Sequence, residues 1–315
     1  MRVLVGWDPK LYPGAGSFRK IGSCTFRRYD ASFLRSRLGL YDVLVTHLET
    51  FVGDDLLASA PRLKVLATPS TGQDHFDGEA ARRRGIAVVS LGDDPAFLEE
   101  ISSTAEHAWL LIMACARKFR RALERVGEGG VWRNVDLRGR QLRGLTLGVI
   151  GYGRLGRMVE GYAHAFGMRV LVHDVAAVRP RHGTAVPLPR LLRESDIVTL
   201  HAKWRRGEPP VIGSAALRRM KRGAVLVNTA RGGLVDSAAV LSALRRGRLS
   251  AAALDVAQEE YREGSLPADP LVRAFPRCPD IIVTPHVGGA TLDAHDRVFA
   301  KLSSLVAARL KRRSP

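Results

Sequence analysis

The chain has 315 residues, of which 46% are hydrophobic and 25% charged, and its formal net charge is +18. This length and balance are typical of a globular protein of about two domains and exclude an intrinsically disordered chain. No apolar run approaches the ~20 residues of a membrane-spanning helix, so we expect no membrane partner. Arginine supplies 41 of the 49 basic residues and is spread along the whole chain. Because nucleic-acid binders usually concentrate their charge on one element, this distribution favours a solvated surface over nucleic-acid binding.

The amino terminus and the cysteines indicate the compartment. The chain begins M-R-V-L-V-G-W-D-P, which runs directly into a strand pattern and has no signal-peptide core. The three cysteines, Cys24, Cys115 and Cys278, lie far apart and form no C-x-x-C pair. We therefore expect a cytoplasmic protein with neither a disulfide framework nor a metal site.

Residues 1 to about 93 alternate between strand and helix patterns, which predicts a first α/β unit. Its predicted elements are the strands Val3–Gly6, Asp42–Thr46, Lys64–Thr68 and Ile86–Ser90 and the helices Ala31–Leu38, Gly53–Ala60 and Asp77–Arg84. Tyr12–Gly22, rich in glycine and basic residues, is predicted to be a loop. After Gly92-Asp93-Asp94-Pro95 the alternation stops, and the periodicity predicts one long helix from about Ser103 to Val126.

A glycine-rich turn follows the next strand. Residues 147–156 read L-G-V-I-G-Y-G-R-L-G, and Asp174 stands 23 positions after Gly151, at the end of the following strand. Gly151 allows a sharp turn, Gly153 lets a pyrophosphate approach the backbone, and Gly156 lets the helix pack on the strand. A carboxylate at Asp174 accepts hydrogen bonds from a ribose diol and repels a 2′-phosphate. The pattern therefore predicts a dinucleotide site for NAD rather than NADP.

Strands and helices continue to alternate as far as Pro285, which predicts a doubly wound parallel sheet. The elements predicted here are the strands Thr146–Ile150, Arg169–His173, Asp196–His201, Ala224–Asn228, Ala252–Asp255 and Ile281–Thr284 and the helices Arg154–Phe166, Pro187–Glu194, Ser214–Met220 and Asp236–Arg246. A last helix, about Asp293–Lys311, has an apolar stripe with which it can return to the first unit. We therefore predict an α/β fold of two Rossmann-like domains with parallel sheets. Residues 1–93 plus 287–315 form a discontinuous domain, and residues 94–286 form the inserted dinucleotide-binding domain.

Chemically reactive side chains follow three successive strands of the second unit. Arg231 comes first, Glu259 or Glu260 follows the next strand, and His286 follows the last one. The carboxyl ends of parallel strands meet at the edge where α/β sheets bind ligands, so we expect these side chains to converge. A guanidinium holds a carboxylate with two parallel bonds, and an imidazole beside a carboxylate exchanges protons near neutral pH.

By its motifs, the chain is identified as a member of the D-isomer specific 2-hydroxyacid dehydrogenase family, similar to phosphoglycerate dehydrogenase. The resemblance covers nearly the whole length, with the motifs S-T-G-Q-D-H (70–75), A-E-H (105–107), L-G-V-I-G-Y-G-R-L-G (147–156), S-D-I-V-T-L-H (195–201), M-K-R-G-A-V-L-V-N-T-A-R-G-G (220–233), A-A-L-D-V (252–256) and T-P-H-V-G-G (284–289). It implies that Arg231 binds the substrate carboxylate and polarises the carbonyl, that His286 is the general acid/base, and that Glu260 is its partner. Family spacing selects Glu260, 29 residues after Arg231, over Glu259.

The resemblance also implies which residues bind the cofactor and the substrate. Cofactor contacts are expected from Gly151, Gly153, Arg154, Leu155, Gly156, Asp174, Thr229, Ala230, Asp255, Gly288 and Gly289. In the first domain, Thr71 and Gly72 are expected to present backbone N–H groups to the substrate carboxylate. The remaining histidines of interest are expected to act as follows: His75, with Asp74, stabilises this loop, His107 makes a buried hinge contact, and His47 is either a cleft residue or an ordinary loop residue.

One segment departs from the family pattern. After His201, relatives usually have a short apolar segment that contains proline, whereas this chain has Ala202-Lys203-Trp204-Arg205-Arg206. The segment is expected near the cofactor. Three interpretations remain: the change alters cofactor contacts through Lys203 or Trp204, it marks an acidic substrate, or it has no consequence. The preference for NAD depends on which of these holds.

The sequence therefore predicts an NAD-dependent dehydrogenase that interconverts a 2-keto acid and a D-2-hydroxy acid. Its substrate is a small anion, which the positive net charge would attract. The resemblance implies a homodimer formed through the cofactor domain, with Trp132 and its neighbours as an arm. Two alternatives are a non-catalytic NAD-sensing regulator of the same fold, which would need none of the three reaction residues, and a dehydrogenase directed at phosphite or phosphonates.

Overall fold

The structure, a computed structural model, describes residues 1–127, 129, 132, 135–258, 260 and 268–312. This part of the chain forms two units, one of residues 1–101 with 290–312 and one of residues 102–260 with 268–289. The second unit therefore interrupts the first in sequence, as the sequence predicts. No helix within the described ranges is long and apolar enough to cross a membrane.

The strands of the described ranges form two sheets in which every pair of neighbours is parallel. They are β1 (Arg2–Val5), β2 (Ser23–Phe26), β3 (Val43–Val45), β4 (Val65–Thr68), β5 (Ala87–Ser90), β6 (Thr146–Ile150), β7 (Arg169–His173), β8 (Thr184–Ala185), β9 (Ile197–Leu200), β10 (Ala224–Asn228), β11 (Leu249–Leu254) and β12 (Ile281–Val283). The strand order is β2-β1-β3-β4-β5 in the first unit and β12-β11-β10-β9-β6-β7-β8 in the second.

The α-helices of the described ranges connect these strands. They are α1 (Ala31–Arg37), α2 (Asp54–Ala58), α3 (Gly78–Arg83), α4 (Pro95–Glu99), α5 (Ser103–Ala116), α6 (Phe119–Gly127), α7 (Arg154–Ala165), α8 (Leu188–Glu194), α9 (Ser214–Arg219), α10 (Ser237–Arg245), α11 (Pro270–Ala274) and α12 (Leu292–Lys311). The two sheets and their helices confirm the predicted class of two α/β domains with parallel sheets.

In the first unit, apolar residues cover both faces of the sheet because successive strand residues point to opposite sides. Val3 and Val5 of β1 pack in one cluster with Phe299 of α12. Leu4, between them, packs in a second cluster with Leu34 of α1. The carboxy-terminal helix α12 therefore completes the core of the first unit, which makes this domain discontinuous.

In the second unit, the direction of strand addition reverses at β6. The chain proceeds from β6 to β7 and β8 on one side, and then from β9 to β12 on the other. In an open parallel sheet, such a reversal leaves a crevice at the carboxyl ends of the two strands, and ligands bind there. The turn after β6 and the loops after β9, β10, β11 and β12 therefore border the expected binding edge.

The single long helix predicted from Ser103 to Val126 is wrong, because the structure divides it into α5 and α6. Lys118 has a φ of 51°, a left-handed conformation that a regular helix does not contain. The backbone N–H of Arg140 donates to the carbonyl of Ala116 at 2.7 Å, and a Cβ on Gly139 would lie 2.5 Å from the same oxygen. An amide distant in sequence thus bonds a carbonyl group at the end of α5, and helical periodicity does not reveal this contact.

The apolar pattern of the sequence does not predict two edge strands, β2 and β8. Their residues are exposed or only partly buried, so neither strand has the apolar run that predicts a strand. The predicted loop Tyr12–Gly22 contains a 3₁₀ helix, Pro13–Lys20, in which only Ala15 and Phe18 are buried.

Candidate active site

The glycine turn between β6 and α7 is the first part of the site. Gly151 has a φ of 90°, a conformation that favours glycine, and its N–H donates to the carbonyl of His173 at 2.8 Å. A Cβ on Gly156 would lie 2.2 Å from the carbonyl oxygen of Gly151, so glycine lets α7 pack this closely on the turn. α7 begins at Arg154, with Gly153 as its N-cap and no capping side chain. A helix that begins in this way leaves N–H groups of its first turn for an anionic ligand.

The glycine turn leaves open space against its backbone at Gly153. Gly153 has a φ of −75°, which any residue adopts, and a Cβ at this position would meet no atom within 4 Å. Glycine is therefore not needed here for the fold, whereas a phosphate lying against the backbone does need it. After β10, Oγ1 of Thr229 is buried and has no hydrogen-bond partner among the residues described. A ligand that bonds this hydroxyl would satisfy it, so the residues present fit a bound nicotinamide dinucleotide.

Asp174 lies directly after β7, the strand that pairs with β6 on the side opposite β9. Its carboxylate accepts the backbone N–H of Tyr152 at 2.7 Å and that of Ala176 at 3.0 Å. These bonds hold the carboxylate beside the glycine turn. Because a carboxylate has about four acceptor positions, two of them remain for the hydroxyls of a ribose.

Arg231 lies in a turn of residues 229–233 after β10, called the arginine turn below. The side-chain oxygen of Asn228 accepts the N–H of Ala230 at 3.0 Å, and its amide donates to the carbonyl of Arg231 at 2.8 Å. The guanidinium donates to the carbonyl of Ala230 at 2.7 Å. One buried amide side chain at the end of the strand thus fixes the backbone from which the arginine extends.

His286 follows β12 and pairs with Glu260, which follows β11. Nδ1 of His286 lies 3.1 Å from Oε1 of Glu260, and the two side chains are 29% and 12% exposed. The φ of His286 is 55°, a strained conformation that clusters at functional sites, and its N–H donates to the carbonyl of Asp255 at 2.8 Å. Because Glu260 binds Nδ1, the partly exposed ring can present Nε2 to a ligand. Glu259, the alternative partner, lies outside the described residues.

The surrounding charges favour the protonated form of His286. Burial lowers the pKa of this imidazole, but the hydrogen bond to Glu260 and the negative charge of Glu260 raise it, so that the pKa lies above its ordinary value. The positive charge of Arg231 acts on the same ring and lowers its pKa. The negative charge of Asp255 adds to the effect of Glu260, and together the two carboxylates outweigh burial and Arg231.

Asp255 anchors the loop after β12. Its carboxylate accepts the hydroxyl of Thr284 at 2.6 Å and the N–H groups of Val287 and Gly288 at 2.9 and 2.8 Å. His107 of α5 donates from Nε2 to the hydroxyl oxygen of Thr284 at 2.9 Å. Nε2 of His107 also lies 3.4 Å from Oδ1 of Asp255. Burial raises the pKa of Asp255, but His107, the Thr284 hydroxyl and the backbone N–H groups lower it below its ordinary value, so the anchor is ionised.

The sequence pattern gives no role to Thr284, although a polar residue at the end of an apolar strand is a usable signal. The family resemblance implies that Asp255, Gly288 and Gly289 contact the cofactor. In the structure, Gly288 is buried and bonded to Asp255, and Gly289 follows it. The contacts of these residues with a cofactor stay predictions.

The segment that departs from the family pattern borders two turns of the site. A Cβ on Gly151 would lie 2.4 Å from the nitrogen of Ala202, so the segment begins against the glycine turn. A Cβ on Gly233 would lie 2.3 Å from the indole of Trp204, so Trp204 covers the arginine turn. Lys203, between them, is exposed. Trp204 thus packs against the arginine turn. This favours an effect of the segment on the position of Arg231 over no effect.

The first unit carries the residues predicted to meet the substrate carboxylate. The N–H of Ser70 donates to Oγ1 of Thr68 at 3.2 Å, and the N–H of Gly72 donates to Oγ of Ser70 at 3.1 Å. Thr71 is exposed at the tip of this loop. Hydroxyl groups of its own residues thus organise the loop, and its contact with a substrate stays a prediction.

Two histidines near that loop have partners within the first unit. His75 is fully buried, with Nε2 3.0 Å from Oγ1 of Thr46. His47 is buried, with Nε2 3.0 Å from the carbonyl oxygen of Tyr29, and its Nδ1 accepts the N–H of Glu49 at 3.1 Å. These bonds support a structural role for both imidazoles.

The comparisons with known proteins identify the family of the chain. The family model for the D-isomer specific 2-hydroxyacid dehydrogenase NAD binding domain matches residues 109–288. A hydroxypyruvate reductase of Thermotoga maritima is 35% identical over 264 residues, which are 83% of this chain and 82% of the relative. A glyoxylate reductase of Aeropyrum pernix is 39% identical over 267 residues, which are 82% of this chain and 76% of the relative. The crystal structure of D-lactate dehydrogenase from Aquifex aeolicus, complexed with NAD and lactic acid, is 30% identical, has a TM-score of 0.87, and is matched over 99% of this chain and 96% of that one.

The fold and the glycine turn define a nicotinamide-dependent oxidoreductase with a Rossmann-type cofactor domain. The matched family model and the identity with two reductases make the assignment narrower. The chain belongs to the D-isomer specific 2-hydroxyacid dehydrogenase family and is a dehydrogenase.

Proposed function

We propose that the protein is an NAD-dependent dehydrogenase that interconverts a small 2-keto acid and a D-2-hydroxy acid. One observation carries the proposal. At the carboxyl edge of a single parallel sheet, the imidazole of His286 is bonded to Glu260 and feels the charge of Arg231. The same edge carries the glycine turn of a dinucleotide site.

The three side chains divide the chemistry as follows. The guanidinium of Arg231 binds the substrate carboxylate and draws electron density from the neighbouring carbonyl. His286, kept protonated by Glu260, gives a proton from Nε2 to the carbonyl oxygen during reduction and takes it back during oxidation. When bound, the reduced nicotinamide supplies the hydride.

The cofactor would be held by the second unit. The residues that we assign to it are Gly151, Gly153, Arg154, Leu155, Gly156, Asp174, Thr229, Ala230, Asp255, Gly288 and Gly289. The carboxylate of Asp174 beside the glycine turn supports NAD over NADP, because it repels a 2′-phosphate.

We assign the NAD-binding domain to the second unit and the substrate domain to the first. The boundaries expected from the sequence, 94–286 for the NAD-binding domain and 1–93 plus 287–315 for the substrate domain, differ from those of the units by eight residues at the first junction and three at the second. Thr71 and Gly72 would add backbone N–H groups to the carboxylate site. The named activities of the two reductases make glyoxylate and hydroxypyruvate the first substrates to test. We further propose a cytoplasmic homodimer, and the unpaired state of Cys24, Cys115 and Cys278 supports a reducing compartment.

The alternative is an NAD-sensing regulator of the same fold that turns nothing over. A sensor needs a dinucleotide site but has no use for an imidazole whose pKa a buried carboxylate raises. A dehydrogenase that acts on phosphite or phosphonates would also keep the arginine, as a group that binds an anion. The same assay therefore includes phosphonate analogues.

The test follows the oxidation of NADH and NADPH by the purified protein with a panel of glyoxylate, hydroxypyruvate, pyruvate, larger 2-keto acids and phosphonate analogues. We expect turnover with at least one small 2-keto acid, a preference for NADH, and a D-configured product. Arg231→Ala should lower kcat/KM about 10- to 100-fold, mainly through KM, because hydrogen bonds to charged groups contribute about 1.5–3 kcal/mol. A protein that binds NADH but reduces no member of the panel would favour the sensor.

A further inference from the structure

Glu160 of α7 is a buried carboxylate that the proposed reaction does not use. Its exposed fraction is 1%. Oε2 accepts the hydroxyl of Tyr152, and Oε1 accepts the N–H groups of His182 and Gly183 at 2.8 and 2.7 Å. A buried carboxylate is costly unless it is hydrogen-bonded, and here both oxygens are bonded. The partners come from two separate segments, the glycine turn and the loop that follows Asp174.

Tyr152 lies between Gly151 and Gly153 and makes three hydrogen bonds around this carboxylate. Its N–H donates to Asp174 at 2.7 Å, and its hydroxyl donates to Glu160 while accepting the N–H of Arg181 at 3.1 Å. Burial and the bond to Glu160 raise the pKa of this hydroxyl, so it donates as a neutral group. A single residue thus links the glycine turn, the carboxylate assigned to the ribose, and the loop after it.

The loop of residues 175–183 connects Asp174 to the edge strand β8. At its far end, the imidazole of His182 stacks on that of His164 of α7, with ring centroids 3.9 Å apart and an interplanar angle of 8°. This stacking and the bonds to Glu160 hold the loop against the helix that follows the glycine turn. Because the ribose of the adenosine is expected at Asp174, the loop borders the adenosine end of the site.

We propose that Tyr152 and Glu160 are positioning residues for the adenosine end of the cofactor, because they hold the loop 175–183 and the Asp174 carboxylate where a ribose diol is bound. This inference rests on the proposed function, since it requires a dinucleotide ligand. Arg179 and Arg181 are exposed on the same loop. A loosened loop would let these guanidiniums approach a 2′-phosphate, so the pair also supports selectivity for NADH over NADPH.

Hydrogen exchange of the protein without cofactor tests the hydrogen bonds themselves. Tyr152→Phe removes the acceptor of the Arg181 amide, and Glu160→Ala removes those of the His182 and Gly183 amides. These amides should exchange about tenfold faster or more, since a buried group that loses its partner costs about 1–3 kcal/mol. Glu160→Gln keeps an acceptor oxygen and should keep most of the protection.

Affinity for ADP-ribose, measured by titration calorimetry, tests the consequence for the ligand. ADP-ribose contains the adenosine and the pyrophosphate but no reacting ring, so the measurement does not depend on turnover. Tyr152→Phe and Glu160→Ala should bind it about five- to tenfold more weakly, and their preference for NADH over NADPH should decrease. Glu160→Gln should restore most of the affinity. If Glu160 acted only through its charge, this variant would bind ADP-ribose as weakly as Glu160→Ala does.

Tyr162→Phe, the same change at a tyrosine within α7, is the matched control and should bind ADP-ribose like the unchanged protein. Equal affinity in the unchanged protein, Tyr152→Phe and Glu160→Ala would overturn this inference and leave the proposed function standing. If the unchanged protein binds neither ADP-ribose nor NADH, the proposed function fails and this inference fails with it. Should Glu160→Ala not fold, the comparison of Tyr152→Phe with Tyr162→Phe decides the question.

Discussion

At the scale of single residues, the proposed chemistry depends on how the neighbours of His286 set its titration. Burial and the charge of Arg231 both lower the pKa of the imidazole, and the carboxylate of Glu260, with the charge of Asp255, reverses their effect. The arginine that we propose to bind the substrate anion is therefore balanced by these carboxylates. An imidazole with a raised pKa remains an acid at higher pH, as reduction of a carbonyl requires.

Glu260→Gln should move the pH dependence of keto-acid reduction. In the unchanged protein, kcat/KM for reduction falls as the pH rises through the raised pKa of His286, because the protonated form is lost. Without the Glu260 carboxylate, only the charge of Asp255 opposes burial and Arg231, and the fall should occur about one to two pH units lower. Steady-state rates between pH 5 and 10 measure this, with Glu194→Gln, at a partly exposed carboxylate of α8, as the control. An unchanged profile in Glu260→Gln would contradict the assigned pairing.

At the scale of elements, the site is a set of turns at the ends of parallel strands, and each turn is held by side chains from elsewhere. Asn228 fixes the arginine turn, and Asp255 fixes the loop of His286 through Thr284 and two backbone N–H groups. The glycine turn differs, because Gly156 is required by the protein's own packing whereas Gly153 is not. That contrast separates the requirements of the fold from those of a ligand.

Gly153→Ala should therefore leave the fold intact and abolish most cofactor binding. Its Cβ meets no protein atom within 4 Å, but it would occupy the space expected for the pyrophosphate. We expect an unchanged melting temperature and an NADH dissociation constant at least about tenfold higher, measured by fluorescence titration.

The control is Gly161→Ala, at a second position of α7 where a Cβ meets nothing within 4 Å. It should bind NADH normally and gain about 0.5–1 kcal/mol of stability, because alanine loses less backbone entropy in a helix. If Gly153→Ala bound NADH as tightly as Gly161→Ala does, the pyrophosphate would have to lie elsewhere.

At the scale of the whole molecule, helix α6 offers a candidate surface for the proposed homodimer. Its polar side faces the second unit, where Arg120 donates to the carbonyl of Cys278 at 3.1 Å and Arg121 forms two bonds with Asp280. Its apolar stripe faces solvent instead, with Phe119, Leu123 and Val126 52%, 58% and 64% exposed. An amphipathic helix that turns its apolar stripe outward marks an interaction surface, which supports the proposed homodimer.

Leu123→Asp should dissociate the dimer. A carboxylate in an apolar interface has no partner and costs several kcal/mol, so the dimer dissociation constant should rise about 100-fold or more. Sedimentation velocity at micromolar protein measures the change, and Leu11→Asp, at a residue 71% exposed in the first unit, is the control. A Leu123→Asp protein that sediments like the control would exclude this face as the contact.

The sequence by itself determined the fold class, the glycine turn and the order in which reactive side chains follow the strands. These features are local, because the periodicity of apolar residues and the spacing of Gly151, Gly153 and Gly156 within ten residues depend on immediate neighbours. The family motifs also selected Glu260, and the structure brings its carboxylate to 3.1 Å from Nδ1 of His286.

Only the tertiary structure decided how α5 ends, what Asp255 binds, and that Glu160 joins the glycine turn to the loop after β7. Each of these depends on atoms distant in the chain, such as the Arg140 amide at the end of α5 or the Thr284 hydroxyl 29 residues from Asp255. A single sequence contains no local signal for such pairs. A buried carboxylate on a helix looks like any surface glutamate until the segment that covers it is known.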